Sequence, residues 1–351
     1  MSQGPYGELP GGGPGAAPPA PAAGRPPPHP RRRSVWATLA TILLVISAIG
    51  NITLVVIVVL ALGLAQSIGG VESDGLRERL VEKGEVRDKI AIIRLDGVID
   101  EYLVEDVEKQ VRRAAHDKRV KAVILQINSP GGGLTASDSL LHLLKTGLEE
   151  KPVVAMMDAV AASGGYYVAC AARKIVAQPT TITGSIGVIG HVFFVNELMK
   201  DKLGVVPVTI KMGEQKDWPN MFTQRGITEE QHKYLMDTFL TPGYEKFLEV
   251  VRQARSFEDA EVRRLATGRA FMGAEAKDLH LVDEVGYRER AIELAQDLAG
   301  LAGARVVEYR RVPTLSDLLV LQAPAKHVLG LSPEKVAGLG GFRVMYLWTG
   351  Y

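Results

Sequence analysis

Residues 122–133 read AVILQINSPGGG, and this stretch indicates both the fold and a first candidate site. The apolar, β-branched part from Ala122 to Ile127 is typical of a short buried strand. Three glycines, Gly131, Gly132 and Gly133, follow it, and glycine allows positive φ angles that bring bare N–H groups close to a phosphate or an oxyanion. The turn holds no lysine and lacks the spacing of a nucleotide-binding P-loop. By itself it is also compatible with a plain tight turn.

Further strands and helices alternate on both sides of this stretch. Residues 89–95 and the apolar run 153–157 predict two strands, and helical patterns cover about residues 104–117 and 135–149. Such alternation indicates an α/β fold whose strands are buried and largely parallel. No internal repeat is evident in this part of the chain, so we expect one large domain.

A second glycine-rich turn lies at residues 158–165, DAVAASGG, again between a strand and a helix. Ser163 in this turn would lie at a helix N-terminus, close to free N–H groups and the positive end of the helix dipole. That position suits a nucleophile, but it equally suits a plain helix cap. Two glycine turns in one domain favour acyl transfer, because the reaction needs a nucleophile and donors to the oxyanion. The Gly164 N–H and one N–H from the first turn are the candidate donors.

A serine nucleophile needs a base, and the sequence offers histidines and lysines. His191 is the best-placed histidine, but no orienting carboxylate lies near it in sequence, so a Ser-His-Asp triad is weakly supported. A lysine acts as a base when burial or a nearby positive charge lowers its pKa, and Lys211 and Lys216 are the candidates. Ser185, in the stretch TGSIGV, could hold such an amine in place. The flanking carboxylates of Glu214 and Asp217 would then have to point away from it.

Composition excludes several other classes of function. The chain has 351 residues, a formal net charge of +1 and 46% hydrophobic residues, which is the balance of a globular protein. A dedicated nucleic-acid binder needs a basic face, and none is evident, so we expect no nucleic-acid partner. Cys170 is the only cysteine, which excludes an internal disulfide and a cysteine-rich zinc cage. It lies in an apolar run and is expected to be a buried structural thiol; no metal or cofactor is expected.

The N-terminal part predicts a membrane anchor. Residues 1–33 are crowded with proline and glycine and predict a disordered tail, a solvated spacer more than an SH3-type ligand. Residues 35–65 carry no charge and are longer than the apolar core of a cleavable signal peptide, so we expect an uncleaved transmembrane signal anchor. Arginines precede this stretch and mixed charges follow it, which places the N-terminus in the cytoplasm and the rest outside. Residues 67–87 are expected to be a linker followed by a short amphipathic helix or an exposed loop.

The motifs together resemble a known family. NSPGGG, AASGGYYVA, TGSIGVIG, a lysine ahead of an aspartate, Gly268-Arg269 and LVDEVG at 281–286 follow one another as in signal peptide peptidase A, over about residues 88–290. The resemblance implies a Ser163 nucleophile, a Lys216 general base and a Ser185 hydroxyl that positions the lysine. It also assigns the oxyanion hole to Gly131–Gly133 and Gly164. Trp218-Pro219 departs from the family pattern.

The resemblance implies a fold and an assembly as well. The family shares the fold of the Clp proteolytic subunit and crotonase, built from stacked ββα units, here expected over residues 88–310. Short members form a dome-shaped octamer in which adjacent subunits share the dyad. They degrade remnant signal peptides at the bacterial cell membrane, in contact with membrane lipid, and prefer small or apolar side chains at the cleavage point. Residues 311–351 are expected to supply a helix and a final strand that pack on a neighbouring subunit.

Two other functions remain compatible with the sequence. A crotonase-like acyl-CoA enzyme would use the same glycine turns to polarise a thioester carbonyl, although an extracytoplasmic domain would be separated from cytoplasmic CoA. A non-catalytic membrane scaffold would keep the fold and use Ser163 only as a helix cap.

Overall fold

The computed structural model describes residues 35–68, 75–85, 87–312 and 343–349. The chain divides into two compact units, Met1–Ala65 and Gln66–Tyr351. The predicted tail, residues 1–33, lies outside the described residues.

A single long helix, α1 (Val35–Ile68), forms the described part of the N-terminal region. Its residues Val35–Ala61 have a mean hydropathy of 2.8, and this stretch is long and apolar enough to cross a membrane. The one amide in its middle is satisfied within the helix, because Asn51 Nδ2 donates to the Ser47 carbonyl at 2.7 Å. The polar side chain therefore needs no partner outside the helix.

The second unit alternates strands and helices. Its strands are β1 (Leu76–Glu82), β2 (Lys89–Asp96), β3 (Val120–Ser129), β4 (Gly131–Gly133), β5 (Val153–Ala162), β6 (Lys174–Ala177), β7 (Ile182–Gly184), β8 (Ile189–His191), β9 (Ala270–Met272), β10 (Glu284–Val285), β11 (Arg305–Arg311) and β12 (Arg343–Leu347). Its α-helices are α2 (Glu101–His116), α3 (Leu134–Gly147), α4 (Gly164–Ala169), α5 (Glu229–Leu235), α6 (Thr241–Arg255), α7 (Asp259–Leu265), α8 (Gly273–Asp278) and α9 (Arg288–Ala299). Short 3₁₀ and π segments cover Glu214–Asp217, Leu198–Lys202 and Met236–Leu240.

The main sheet has the strand order β1-β11-β2-β3-β5-β6-β10, and β7 and β9 extend it beside β5. Each neighbouring pair from β11 to β10 in this order is parallel. The edge strand β1 is antiparallel to β11. A second, three-stranded sheet has the order β4-β12-β8. The predicted α/β fold with largely parallel strands is confirmed.

Successive residues of a strand point to opposite sides of a sheet, so the apolar strands present apolar side chains on both faces. Helices cover both faces. On one face Ile93 and Leu125 pack in a core that includes Val107 and Val111 of α2. On the other face Ile92 and its neighbours pack on α9. Strands buried on both faces read as continuous apolar runs, which is why periodicity identified them.

One sequence-based expectation differs from the structure. The predicted linker at 67–87 contains strand β1, which pairs with β11, and its Leu76 is buried against the core. Within LRERLVE only Leu76 is buried and each face of the strand mixes apolar and charged side chains, so the local pattern did not reveal the strand, which its pairing with β11 creates. At the other end, the expected final strand is present as β12, which pairs with β4 and β8 of its own chain; its packing on a neighbouring subunit stays a prediction. The helix expected in this C-terminal segment lies outside the described residues.

Candidate active site

Ser163 lies in the sharp turn between β5 and α4. Its φ of 53° and ψ of −116° are rare for a residue with a side chain, and such a conformation costs about 1–3 kcal/mol. Two hydrogen bonds hold the turn, since Ser163 N donates to Gly184 O at 2.8 Å and Tyr167 N donates to Ser163 O at 2.9 Å. The Ser163 side chain makes no capping hydrogen bond, although it precedes a helix. The cap interpretation therefore does not account for its position.

The glycines after Ser163 allow the two glycine-rich turns to pack directly on each other. A Cβ on Gly165 would lie 2.8 Å from the Ser129 carbonyl oxygen. A Cβ on Gly164 would lie 3.1 Å from Gly131 Cα and 2.6 Å from Ser137 Oγ. Side chains at these positions would separate the turns, so the structure explains why glycines stand there.

The first turn is an ordered strand, β4, and its three N–H groups face different partners. Gly131 N donates to Ser129 Oγ at 3.1 Å and Gly133 N donates to Ile99 O at 2.8 Å. Trp348 N donates to Pro130 O at 2.8 Å, which sets the phase of the antiparallel ladder between β4 and β12. In such a ladder, hydrogen-bonded pairs alternate with pairs that are not hydrogen-bonded. Pro130 and Trp348 form a hydrogen-bonded pair, so Gly132 and Tyr346 form the next one, and the Gly132 N–H faces the Tyr346 carbonyl. Of the three amides in this turn, that of Gly132 is therefore the one that faces the neighbouring strand, β12.

Ser185 shares a cleft with Ser163. It has a φ of 49°, its amide donates to Arg269 O at 2.9 Å, and it is 7% exposed. The cleft has a volume of about 550 Å³ and is lined by both serines, by apolar side chains and by the end of the C-terminal strand. The structure thus places Ser163 and Ser185 in one cleft and packs the two glycine turns on each other; the catalytic roles assigned to these residues stay predictions.

Lys216 lies elsewhere in this chain. It is exposed on the 3₁₀ segment Glu214–Asp217 and is not among the described residues that line the cleft. Lys211 is engaged, because its ammonium pairs with Asp217 and donates to Glu214 O at 2.8 Å. Hydrogen bonds from Lys211 and Asn220 lower the pKa of Asp217. Asp217 is therefore committed to Lys211, in agreement with the requirement that it point away from Lys216.

His191 gains no support as a base. It is exposed on β8 and stacks beside Phe193 with ring centroids 6.3 Å apart. It does not line the cleft in the described part of the chain. No described residues form a group of histidine, cysteine, aspartate or glutamate side chains that could hold a metal ion.

The Cys170 thiol is buried as expected, and burial raises its pKa to about 12. A thiol with that pKa is protonated at neutral pH and unreactive. The predicted burial of Cys170 is confirmed.

Sequence reasoning missed two features that support the turn. Tyr166 follows the nucleophile turn, is fully buried, and its hydroxyl donates to Leu281 O at 2.8 Å, which ties α4 to the LVDEVG motif. Asp283 of that motif accepts from Arg255 and from Ile175 N, both at 2.8 Å. Placing LVDEVG so close to Ser163 requires long-range packing that no local pattern encodes. The motif therefore supports the site from a distance.

The sequence was compared with known proteins, and the matches agree with this geometry. Residues 146–302 match the family model of Peptidase family S49, and residues 78–182 match that of Clp protease. These matches define a serine peptidase with a Clp protease-like α/β fold. More narrowly, the chain belongs to peptidase family S49, which is the family the sequence motifs indicated. The acyl-CoA and scaffold alternatives gain no support.

Three relatives from different organisms carry peptidase or protease names. The chain is 34% identical over 254 residues to a putative signal peptide peptidase SppA of Enterococcus faecium, covering 69% of this chain and 73% of that protein. It is 37% identical over 207 residues to a putative protease of Methanocaldococcus jannaschii, covering 59% and 63%. It is 35% identical over 226 residues to the chloroplastic serine protease SPPA of Arabidopsis thaliana, covering 61% of this chain but only 33% of that protein.

Proposed function

We propose that this chain is a membrane-anchored serine endopeptidase with Ser163 as nucleophile and Lys216 as general base, and that it degrades remnant signal peptides and other apolar peptides. The observation that carries the nucleophile is the strained, uncapped Ser163 in a turn packed against a second glycine turn. Strained conformations of this kind persist where the surrounding structure enforces them, and they concentrate at active sites.

The proposed reaction is acyl transfer to Ser163. The serine oxygen attacks the peptide carbonyl carbon and its proton passes to the lysine amine, which later protonates the leaving amine. The developing oxyanion accepts hydrogen bonds from Gly132 N–H and Gly164 N–H, the backbone donors proposed on the two packed turns. Water then hydrolyses the ester and restores Ser163.

The lysine base is proposed to come from an adjacent subunit of a homo-oligomer, an octamer by resemblance. In a single chain Lys216 is exposed and lies outside the cleft. The segment before it is unusually apolar for a surface, because Ile210 is 96% exposed and Met212 is 94% exposed. Docking of this segment on a second subunit would bury that apolar surface and desolvate Lys216, which lowers the pKa of an amine. Ser185 of the receiving subunit would then hold the amine beside Ser163.

The proposed location is the extracytoplasmic face of the cell membrane. Helix α1 has the length and apolar character of a span, and the arginines before it favour a cytoplasmic N-terminus. An anchor keeps the peptidase domain at the surface where apolar peptides accumulate. One relative is named a putative signal peptide peptidase, which supports this substrate class.

The test compares Ser163→Ala, Lys216→Ala and Lys211→Ala in the full chain, with an apolar signal-peptide substrate in detergent. We expect the first two to lose at least about 10³-fold in kcat/KM, since each removes a partner of the acyl-transfer step. Lys211→Ala is the matched control and should stay within a few-fold of the parent. Full activity of Lys216→Ala in an intact assembly would refute the dyad.

A mixing experiment tests the sharing between subunits. Ser163→Ala and Lys216→Ala chains, each inactive, are co-assembled and assayed together. A shared dyad restores part of the activity, because some interfaces then combine an intact serine with an intact lysine. A mixture that stays inactive while mixed oligomers are shown to form would contradict sharing.

A further inference from the structure

Three arginines surround a single buried carboxylate at one edge of the main sheet. The side chain of Glu308, on β11, is only 4% exposed. It pairs with three guanidinium groups at 3.0–3.2 Å, those of Arg79, Arg94 and Arg310. Although burial works to raise the pKa of Glu308, hydrogen bonds from Arg310 and Arg94 outweigh it and lower that pKa, so the carboxylate is ionised at neutral pH. One negative charge therefore holds three positive charges in place.

A fourth arginine, Arg77, extends this cluster along β1. It lies directly opposite Arg310 in the antiparallel pairing of β1 with β11. Like charges that face each other across two strands destabilise a sheet. Arg77 forms no ion pair with any residue in the part of the chain that the structure describes, so nothing there relieves this repulsion. We call these four residues the arginine patch: Arg77, Arg79, Arg94 and Arg310.

The arginine patch is open to solvent. The side chains of Arg79 and Arg310 are 53% and 49% exposed, and that of Arg94 is 35% exposed. Arg94 also pairs with the exposed Asp96, so four arginines and two carboxylates leave a net charge of +2.

The guanidinium groups of the patch retain free donors. Each guanidinium has five N–H donors, and Arg94 and Arg310 each use two on carboxylates. The remaining donors can bind a phosphate group in the forked geometry that arginine favours. The patch is therefore suited to an anion that carries several oxygens.

The chain itself keeps this patch close to the end of α1. Arg77 follows Ile68, the last residue of α1, by nine residues. An extended chain of that length reaches at most about 30 Å. A patch on β1 is thus tethered near any membrane that α1 crosses, where phosphate headgroups are abundant.

We propose that the arginine patch binds the phosphate headgroups of anionic phospholipids and docks this edge of the peptidase domain on the membrane that α1 crosses. The inference rests on the proposed membrane anchor and is independent of the Ser163 and Lys216 chemistry. A lipid surface is favoured over a soluble anion, because the tether holds the patch beside headgroups at all times. Basic residues close to an anionic membrane are attracted to it over about one screening length.

The test reconstitutes the full chain in vesicles and measures energy transfer from the domain to the membrane. A donor dye is attached at Glu82→Cys, an exposed position at the end of β1, and the acceptor dye is carried by a lipid headgroup. The buried Cys170 is not labelled in the folded protein. We expect transfer to rise as phosphatidylglycerol replaces phosphatidylcholine. It should fall back in 1 M salt, where the screening length is about 3 Å.

Variants of the patch give the size of the effect. Each basic residue near an anionic surface favours contact about fivefold, so Arg77→Gln/Arg310→Gln should lower the ratio of docked to undocked domain about 30-fold. Arg77→Lys/Arg310→Lys keeps both charges and should dock much as the parent does. The matched control, Arg112→Gln/Arg225→Gln, removes the same charge from side chains that are 71% and 76% exposed outside the patch. It should also dock as the parent does.

Circular dichroism verifies the fold of each variant. If the double variant does not fold, Arg77→Gln alone carries the test, since it removes no partner of Glu308 and should lower the ratio about fivefold.

Several results would overturn the inference. These are transfer that does not depend on phosphatidylglycerol, an equal fall in the matched control, and loss of transfer when inorganic phosphate is added at constant ionic strength. The last result would assign the patch to a soluble anion. Flotation of the parent with pure phosphatidylcholine vesicles tests α1 as an anchor separately, so failure of the anchor is distinguishable from failure of the patch.

Discussion

Replacing Gly131 by alanine tests the packing of the two turns most directly. Gly131 has a φ of +100°, and a Cβ there would lie 2.1 Å from the Tyr346 carbonyl oxygen of β12 and 2.6 Å from Gly164 N of the second turn. To reach an ordinary contact of 3.4 Å the second turn must retreat by about 0.8 Å. A misplacement near 1 Å in an active site costs about 10²-fold in rate, or about 2.7 kcal/mol of transition-state stabilisation. We therefore expect Gly131→Ala to lower kcat about 100-fold.

The matched control is Gly97→Ala. Gly97 has a similar φ of +91°, but nothing lies within 4 Å of a Cβ placed there. Both variants should lose about 1–3 kcal/mol of unfolding free energy from backbone strain, and their melting temperatures should fall by about 2–10 °C. Only Gly131→Ala should also lose activity. The measurements are kcat on a peptide substrate and thermal unfolding followed by circular dichroism. A folded Gly131→Ala enzyme with a kcat within twofold of Gly97→Ala would refute the close packing as the basis of the proposed oxyanion site.

Three further outcomes are expected. Although burial works to raise the pKa of Asp283, hydrogen bonds from Arg255 and the Ile175 amide outweigh it and hold the pKa below its ordinary 3.8. The ionised Asp283 therefore stabilises the fold above pH 4, and this contribution is lost as the pH falls through the folded-state pKa. Asp283→Asn should cost about 2 kcal/mol of unfolding free energy at pH 7 and progressively less in acid, measured by urea titration. The Lys89 side chain is 3% exposed and pairs with Glu78 and Asp117, so Lys89→Met should cost about 2–3 kcal/mol of unfolding free energy. As a control, Arg112→Met breaks the exposed pair with Glu108 and should cost under about 0.5 kcal/mol. The Cys170 thiol should react with a thiol reagent only at the rate of global unfolding; rapid labelling of the native protein would contradict its burial.

Local patterns recovered most of the elements that build the domain. The apolar runs at 89–95 and 153–157 predicted strands because those segments are buried on both faces, although β5 continues to Ala162, through the small residues that pair with β7. The glycine turns were found because close backbone approach requires glycine. Their roles in catalysis stay predictions.

What the sequence left open depends on contacts between distant residues. It did not distinguish the three amides of Gly131–Gly133, because their partners, Ser129, Ile99 and Tyr346, are set by tertiary packing. It could not place β12 between β4 and β8, since the strand pattern of residues 343–347 carries no information about its neighbours. The proposed base is the extreme case, because a lysine supplied by another subunit, as we propose, is invisible to any local rule.

The C-terminal strand has a kinetic consequence for any incoming peptide. Because β12 is covalently attached, a peptide that pairs with β4 beside the Ser163 turn must displace it as a tethered ligand, and tethered ligands typically act at effective concentrations on the order of millimolar. A free peptide at micromolar concentration can therefore bind only during the fraction of time in which β12 has dissociated. The apparent KM rises in inverse proportion to that fraction. Peptides that are concentrated in a membrane, or held there by their own apolar stretch, can reach a local concentration comparable to the effective concentration of β12 and compete with it. Dilute soluble segments do not, so the strand discriminates between substrates by where they are as well as by what they contain.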